Sequence, residues 1–241
     1  MKIKELLKIH AHRPYELPEQ SWSFYQEWND VFFMHWKVPF ELLSEFLPAE
    51  LEADSFEGDY YVSLVAFRME KIRPRYLPSV GFLSDFYEVN LRTYVTKDGK
   101  PGVYFLSIEA EKALSAFVSR SISGLPYRKA SIRRTEQGYF AENPKENRSF
   151  NATFKTSGVV PGIKSSLDRW LTERYCLYML RNGMVRRFEI HHQEWELSGV
   201  ELQQLESTYV LGNHPLIMEN MSGFHYSPGV VVAAWNYEEL L

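Results

Sequence analysis

Glu88, Asn90 and Arg92 alternate with Val89, Leu91 and Thr93 through the stretch YEVNLRTYV, Tyr87–Val95. An acid, an amide and a guanidinium on one side of a chain can hold an anionic group and move a proton. The period of two is that of a strand. On a strand Glu88 and Arg92 stand about 13 Å apart at roughly 3.3 Å per residue, too far to pair easily with each other. Such a face either meets water, the plainer reading of the spacing, or lines a cavity where separated polar groups orient a ligand. Glu109 follows on the next strand. It joins this face only if the register has the right parity, and the seven-residue link TKDGKPG leaves that parity open.

Other residue types invite chemistry less. Arg120, Tyr127, Arg128, Lys129, Arg133 and Arg134 make the most basic stretch. An exposed strand or loop explains them adequately, Lys129 and Arg134 above all. His191 and His192 lie between Glu189 and Glu194, but neighbours on a strand point to opposite faces and do not readily ligate one ion. No metal is therefore expected. Cys176 sits in ERYCLYML with no pattern of a thiol nucleophile around it, so a buried structural thiol is expected. No GxSxG, P-loop or GxGxxG occurs.

The elements that must carry these groups read mostly as strands. DVFFMHWKVP and GDYYVSLVAFRMEKIRP are rich in β-branched and aromatic residues. SDFYEVNLRTYV and GVYFLSIEAEKA suggest a hairpin through Asp-Gly and Pro-Gly. LPYRKASIRR, QGYFAEN, RSFNATFKTS, VRRFEIHHQEWEL and GVVVAAW continue the series. Short helices are expected in MKIKELLKI, in PFELLSEFLP behind Pro39, in SAFVSRSI, and in SSLDRWLTERYCLYML with Ser166 as a cap, the last turning into strand near Tyr175. The expected class is α+β and mainly β: a large, curved antiparallel sheet or barrel with a few short helices.

The chain has 241 residues, 45% hydrophobic and 15% aromatic, enough for one large core. No linker or repeat divides it, so residues 1–241 are expected as one domain, with 1–20 a peripheral N-terminal segment. The net charge of −4 argues against a broad basic surface for nucleic acid. One cysteine fits a reducing compartment. No signal peptide is recognisable, and no run approaches the roughly 18 apolar residues of a membrane span. A soluble, cytoplasmic protein without membrane or nucleic-acid partners is expected.

Several phrases together resemble a known family. MHWKVP, LLSEFLP, FYEVNLRTYV, GVYFLSIEA, LPYRKA, ERYCLY, HHQEWEL and HYSPGVVV are similar to the YqjF-like proteins, a family of unknown function, from about Trp28 to Trp235. That family is similar in fold to acetoacetate decarboxylase. The resemblance implies an internal cavity and homo-oligomers, a dimer or larger. Acetoacetate decarboxylases form a Schiff base on a lysine in a segment like Gly-Tyr-Pro-Lys-Lys. Here the comparable segment is GLPYRKA, with Tyr127 in the lysine's place and Arg128 in its neighbour's. A phenol forms no imine. Lys129, two residues on, offers a weaker substitute.

The resemblance thus implies a barrel that binds a small carboxylate or carbonyl molecule without imine chemistry or a cofactor. Arg92, Arg120 or Arg128 would grip an anionic group, with Asn90 and Glu109 beside it and Glu88 and Tyr127 at the polar end. A competing reading makes it a lyase- or isomerase-type enzyme with Glu88 as base and Tyr127 as acid. A third makes the cavity incidental to a structural role.

Overall fold

The computed structural model describes residues 2–112, 127–161 and 163–240, giving only the backbone of 82, 83 and 156–161. Among them the strands are β1 (Phe24–Val38), β2 (Glu52–Ala53), β3 (Tyr60–Pro74), β4 (Phe86–Lys97), β5 (Lys100–Ala110), β6 (Tyr127–Lys129), β7 (Ser131–Thr135) and β8 (Gly138–Asn143). They continue as β9 (Arg148–Pro161), β10 (Cys176–Arg181), β11 (Met184–His191), β12 (Ser198–Ser207), β13 (Val210–Leu211), β14 (His214–Pro215), β15 (Met221–Ala234) and β16 (Glu238–Leu240). The helices α1 (Ile3–Leu6), α2 (Phe40–Ser44), α3 (Gly81–Ser84) and α4 (Ser166–Thr172) are all short. The helix expected in SAFVSRSI lies outside the described residues.

The fold is mainly β, one curved and largely antiparallel sheet in the order β16-β11-β10-β5-β4-β3-β1-β15-β12-β9-β8-β7. Among the described residues two pairings are parallel, β5 with β10 and β5 with β6. A further pairing of β11 with β15, Ile190 to Ala234 and His191 to Ala233, closes a circuit of strands through β10, β5, β4, β3 and β1. Strands β12, β9, β8 and β7 form an arm that leaves the circuit at β15.

The central strands are buried on both faces, which explains their unbroken apolar runs. Phe32, Met34, Trp36, Leu64 and Leu91 pack with Tyr139, Phe150 and Phe154 of the arm. Val31, Phe33, Val65, Phe67 and Ile108 make a second core with Tyr127 and Trp195. Between Asn29 and Phe32 the register of β1 slips, and Asp30 sits at φ 55°. This bulge changes the parity of β1. Phe24, Gln26 and Trp28 line the same cavity as Val31 and Phe33.

Two local expectations change. The link between β4 and β5 is no seven-residue loop: Lys97 pairs with Lys100, leaving a two-residue turn. Asp98 and Gly99 take φ 53° and 72°, as a type I′ hairpin requires. The cap of α4 is Ser165, one residue before the expected Ser166. Its hydroxyl accepts from the Asp168 amide at 3.1 Å, and the Asp168 carboxylate accepts from the Ser165 amide at 2.9 Å.

The N-terminal segment lies against the ends of β1 and β15, with Ile3 and Leu6 packed on Tyr25, Ala233 and Trp235. Arg13 secures it, donating to the Ile190 carbonyl at 2.6 Å and to Glu189 at 3.1 Å. No helix among the described residues is long and apolar enough to cross a membrane.

Candidate active site

The cavity inside the circuit has a volume of about 410 Å³. Its floor and walls follow from strand register. His35, Ser63 and Arg92 form one cross-strand row. Phe33, Val65, Asn90, Ile108 and Tyr127 form the next. Phe67, Glu88 and Ala110 follow, and beyond them Trp28, Met69 and Phe86. The alternating face of β4 therefore looks into the cavity, and Glu88, Asn90 and Arg92 all line it.

Glu88 is 3% exposed. Its carboxylate accepts from Asn90 Nδ2 at 3.0 Å and from the Tyr127 hydroxyl at 2.9 Å. Burial pushes its pKa up from 4.5 to about 7, against the two hydrogen bonds, which favour the charged form. Tyr127 is pushed well above the ordinary phenol value, first by burial and then by the adjoining carboxylate. It reaches Glu88 because parallel pairing sets it opposite Ile108, one row from Glu88 on the same face.

Arg92 is 9% exposed, and burial lowers its pKa from 12.5. Its Nη2 donates to the Leu171 carbonyl at 3.3 Å, and its guanidinium lies 5.7 Å from the Phe33 ring centre. Its buried Nε has no hydrogen-bond partner, nor has Asn90 Oδ1. Among the described residues no carboxylate makes an ion pair with it. A buried guanidinium in this state is costly unless something else meets it.

Beneath Arg92 runs a polar chain that sequence reasoning missed. Asp168 Oδ1 lies 2.9 Å from His225 Nε2, and His225 Nδ1 lies 3.2 Å from His35 Nε2. His35 Nδ1 is 2.6 Å from Ser63 Oγ, which is 2.6 Å from the Tyr94 hydroxyl. Tyr94 then donates to the same Leu171 carbonyl that Arg92 uses, at 2.9 Å. Burial holds His35 well below the ordinary imidazole range, so it is neutral at pH 7. The chain braces the carbonyl that orients Arg92. Its members come from β1, β3, β4, β15 and α4, and no local spacing links them.

The structure separates the other expected site residues from this group. Glu109 pairs with Val89, so it faces away from the cavity. It is buried against the arm instead, accepting from Asn143 Nδ2 at 2.7 Å and from the Tyr209 hydroxyl. Arg128 pairs with Glu109 and is exposed, in an ion pair with Glu146. Neither belongs with Glu88. Arg120 lies outside the described residues. Lys129 is exposed and does not line the cavity. Arg134, expected at the surface, is tucked against Asp30 at 2.8 Å with 12% of its side chain exposed.

His191 Nε2 contacts the Leu6 carbonyl at 3.2 Å, whereas His192 Nδ1 contacts the Gln193 carbonyl at 2.6 Å. Each is held by its own carbonyl, although both rings lie near Tyr175. Cys176 is buried and donates to the Pro101 carbonyl at 3.2 Å. The aromatic wall, including Trp28, Phe33 and Trp195, also escaped sequence reasoning. The bulge at Asp30 hides its common face.

Comparison with known proteins gives a consistent picture. Residues 25–231 match the family DUF2071, described as an uncharacterized conserved protein. The chain is 34% identical over 225 residues to the uncharacterized protein YqjF of Bacillus subtilis (strain 168), covering 91% of this chain and 93% of that one. Acetoacetate decarboxylase from Legionella pneumophila superposes with a TM-score of 0.63 at 12% identity, covering 97% of this chain and 93% of the other. The enduracididine biosynthesis enzyme MppR, in complex with pyruvate, superposes with a TM-score of 0.59 at 11% identity, over 96% and 93% of the two chains.

Proposed function

Taking as premise that this chain belongs to the DUF2071 family and has the fold of acetoacetate decarboxylase, we propose that it binds a small carboxylate or carbonyl compound in the central cavity without forming a Schiff base. One observation carries the reading: Arg92, a buried guanidinium that makes no ion pair with a carboxylate among the described residues, lines a largely apolar cavity. A carboxylate in the cavity would meet the guanidinium, which lines it, and neutralise its charge. A neighbour in the fold, MppR, is complexed with pyruvate, an acid of the same chemistry. No lysine lines the cavity among the described residues, and Tyr127 stands in the segment similar to the one that carries the imine-forming amine. Calorimetric titration with pyruvate and 2-oxohexanoate tests the reading. Arg92→Gln is expected to weaken binding by tenfold or more, the worth of a charged hydrogen bond. Equal affinities would overturn it.

A second reading, an acid–base enzyme, is favoured by the pairing of Glu88 and Tyr127. A carboxylate that titrates at about 7 is a usable base and acid at neutral pH. Ionised Glu88 would take a proton from the carbon beside a bound carbonyl. Tyr127 would donate its hydrogen bond to the resulting enolate oxygen, and the proton would return from Glu88. Exchange of that carbon's protons with deuterium, followed by NMR, tests it. Exchange that persists in Glu88→Gln would exclude Glu88 as the base.

A further inference from the structure

The rows that define the cavity also state what shape of molecule fits it. Arg92 stands in the row of Ser63, and Trp28 in the row of Met69. These rows are six residues apart on β3, about 20 Å at roughly 3.3 Å per residue. The lining continues past Ile72 to Gln26 and Arg73. Glu88, Asn90, Arg92 and Tyr127 make the inner end polar, and Gln26, Arg73 and Asn236 stand at the outer end. Toward the mouth, Phe67, Met69, Trp28 and Ile72 give an apolar passage. A three-carbon acid held at Arg92 leaves most of this 410 Å³ unfilled. Cavities of such size ordinarily hold larger ligands.

Charge fixes the direction and the number of acid groups. Arg92 supplies the cationic end. Glu88, between Arg92 and the mouth, disfavours a second negative charge along the passage once it ionises. Arg73, at the far end, already lies over the Tyr25 ring at 4.5 Å. We infer that the cavity takes an elongated monocarboxylate, acid group innermost at Arg92, with an alkyl or aryl body running past Glu88 and Phe67 toward Trp28 and Ile72. A carbonyl near the acid group would lie beside Asn90. This deepens the proposed function and rests on the same role for Arg92.

The test is a homologous series of unbranched monocarboxylates from acetate to nonanoate, titrated calorimetrically at concentrations below micelle formation. Alcohols and ω-dicarboxylates of matching length form the comparison arms. The expected result is a gain in affinity of roughly fourfold per added methylene until the passage is filled. Alcohols and dicarboxylates should each bind at least tenfold more weakly than the monocarboxylate of equal length. Ile72→Glu, a partly buried position near the mouth, should weaken the long acids much more than butyrate.

A flat series whose affinity still falls in Arg92→Gln would overturn this inference and leave the carboxylate reading standing. A rising series in which alcohols match acids and Arg92→Gln changes nothing would overturn both. Dicarboxylates that bind more tightly than monocarboxylates would overturn the single-acid assignment by bringing in Arg73. Failure of every member to bind would overturn the inference outright.

Discussion

The Tyr127 hydroxyl donates to the Glu88 carboxylate at 2.9 Å, joining β6 to β4 inside the cavity. Two opposed effects meet at this contact. Burial disfavours the carboxylate, and the phenol and Asn90 partly restore it. Burial wins, so the folded protein holds the Glu88 proton more tightly than the unfolded chain does. Its share of stability is complete below about 4.5 and declines as pH rises through about 7. That decline amounts to roughly 3 kcal/mol, at 1.36 kcal/mol per pKa unit. Glu88→Gln removes the ionisation, so it should stabilise the protein more at pH 8 than at pH 5. Urea unfolding at the two pH values checks this; an equal effect at both would contradict the raised pKa.

Tyr127→Phe isolates the phenol's part. It deletes a donor that favours ionised Glu88, so the titration of Glu88 should move above its present value of about 7. Infrared or carbon NMR titration of the carboxyl group reads the shift. Movement downward would mean that the phenol does not donate to the carboxylate in solution.

Restoring the amine at position 127 makes a sharper test. Arg128 is on the opposite face and cannot help to lower an amine's pKa at close range. Glu88 would do the reverse, holding an ammonium in place by pairing with it. Tyr127→Lys alone should therefore trap little keto acid under borohydride at pH 7. The double variant Tyr127→Lys with Glu88→Gln, which removes the counter-charge and keeps the burial, should trap much more. Mass spectrometry locates the adduct. A wild-type adduct at exposed Lys129 would contradict the non-imine reading.

The acid side of the stability profile belongs to histidines. Burial lowers His191 and His192 from 6.5 to about 4, so both are neutral in the folded protein at pH 7. Groups with depressed folded pKa values keep their stabilising share above 6.5 and lose it as pH falls toward 4. This slope opposes that of Glu88, and since burial lowers His35 and His225 as well, the imidazoles together prevail below 6.5. Stability should rise from pH 4.5 to about 6.5 and then ease off. In His192→Gln the acid slope should shrink by about one proton's worth, read from unfolding free energies across the range. An unchanged slope would mean that His192 is not kept neutral by burial.

Gly102 marks the approach of β5 to β10, one of the pairings in the circuit. A Cβ at this position would lie 2.7 Å from the Cys176 carbonyl oxygen and 2.7 Å from a Tyr178 ring carbon. The backbone oxygen cannot yield as a flexible side chain could. Gly102→Ala should destabilise by about 1–3 kcal/mol, as overpacking does, with a matching fall in Tm. An unaltered Tm would show that β10 sits farther from β5.

The alternation of Glu88, Asn90 and Arg92 was legible because strand geometry alone assigns alternate residues to one face. The apolar runs of β1 and β3 were legible too, since burial on both faces needs no polar positions. Local rules also marked the Asp-Gly turn, although not its two-residue length. What the sequence could not decide is which face any strand turns inward. That depends on register, and register here hangs on single events. The turn at Asp98–Gly99 and the slip between Leu91 and Arg92 set the pairing that sends Glu109 away from Glu88. The bulge at Asp30 brings Trp28 and Phe33 to one wall. Parallel pairing of β6 with β5 aims Tyr127 inward and Arg128 outward. The chain from Asp168 to Tyr94 exists only because α4 and β15 are folded against β1, β3 and β4. A one-residue shift reverses a strand's faces, so only the closed set of pairings, acting together, selects among them.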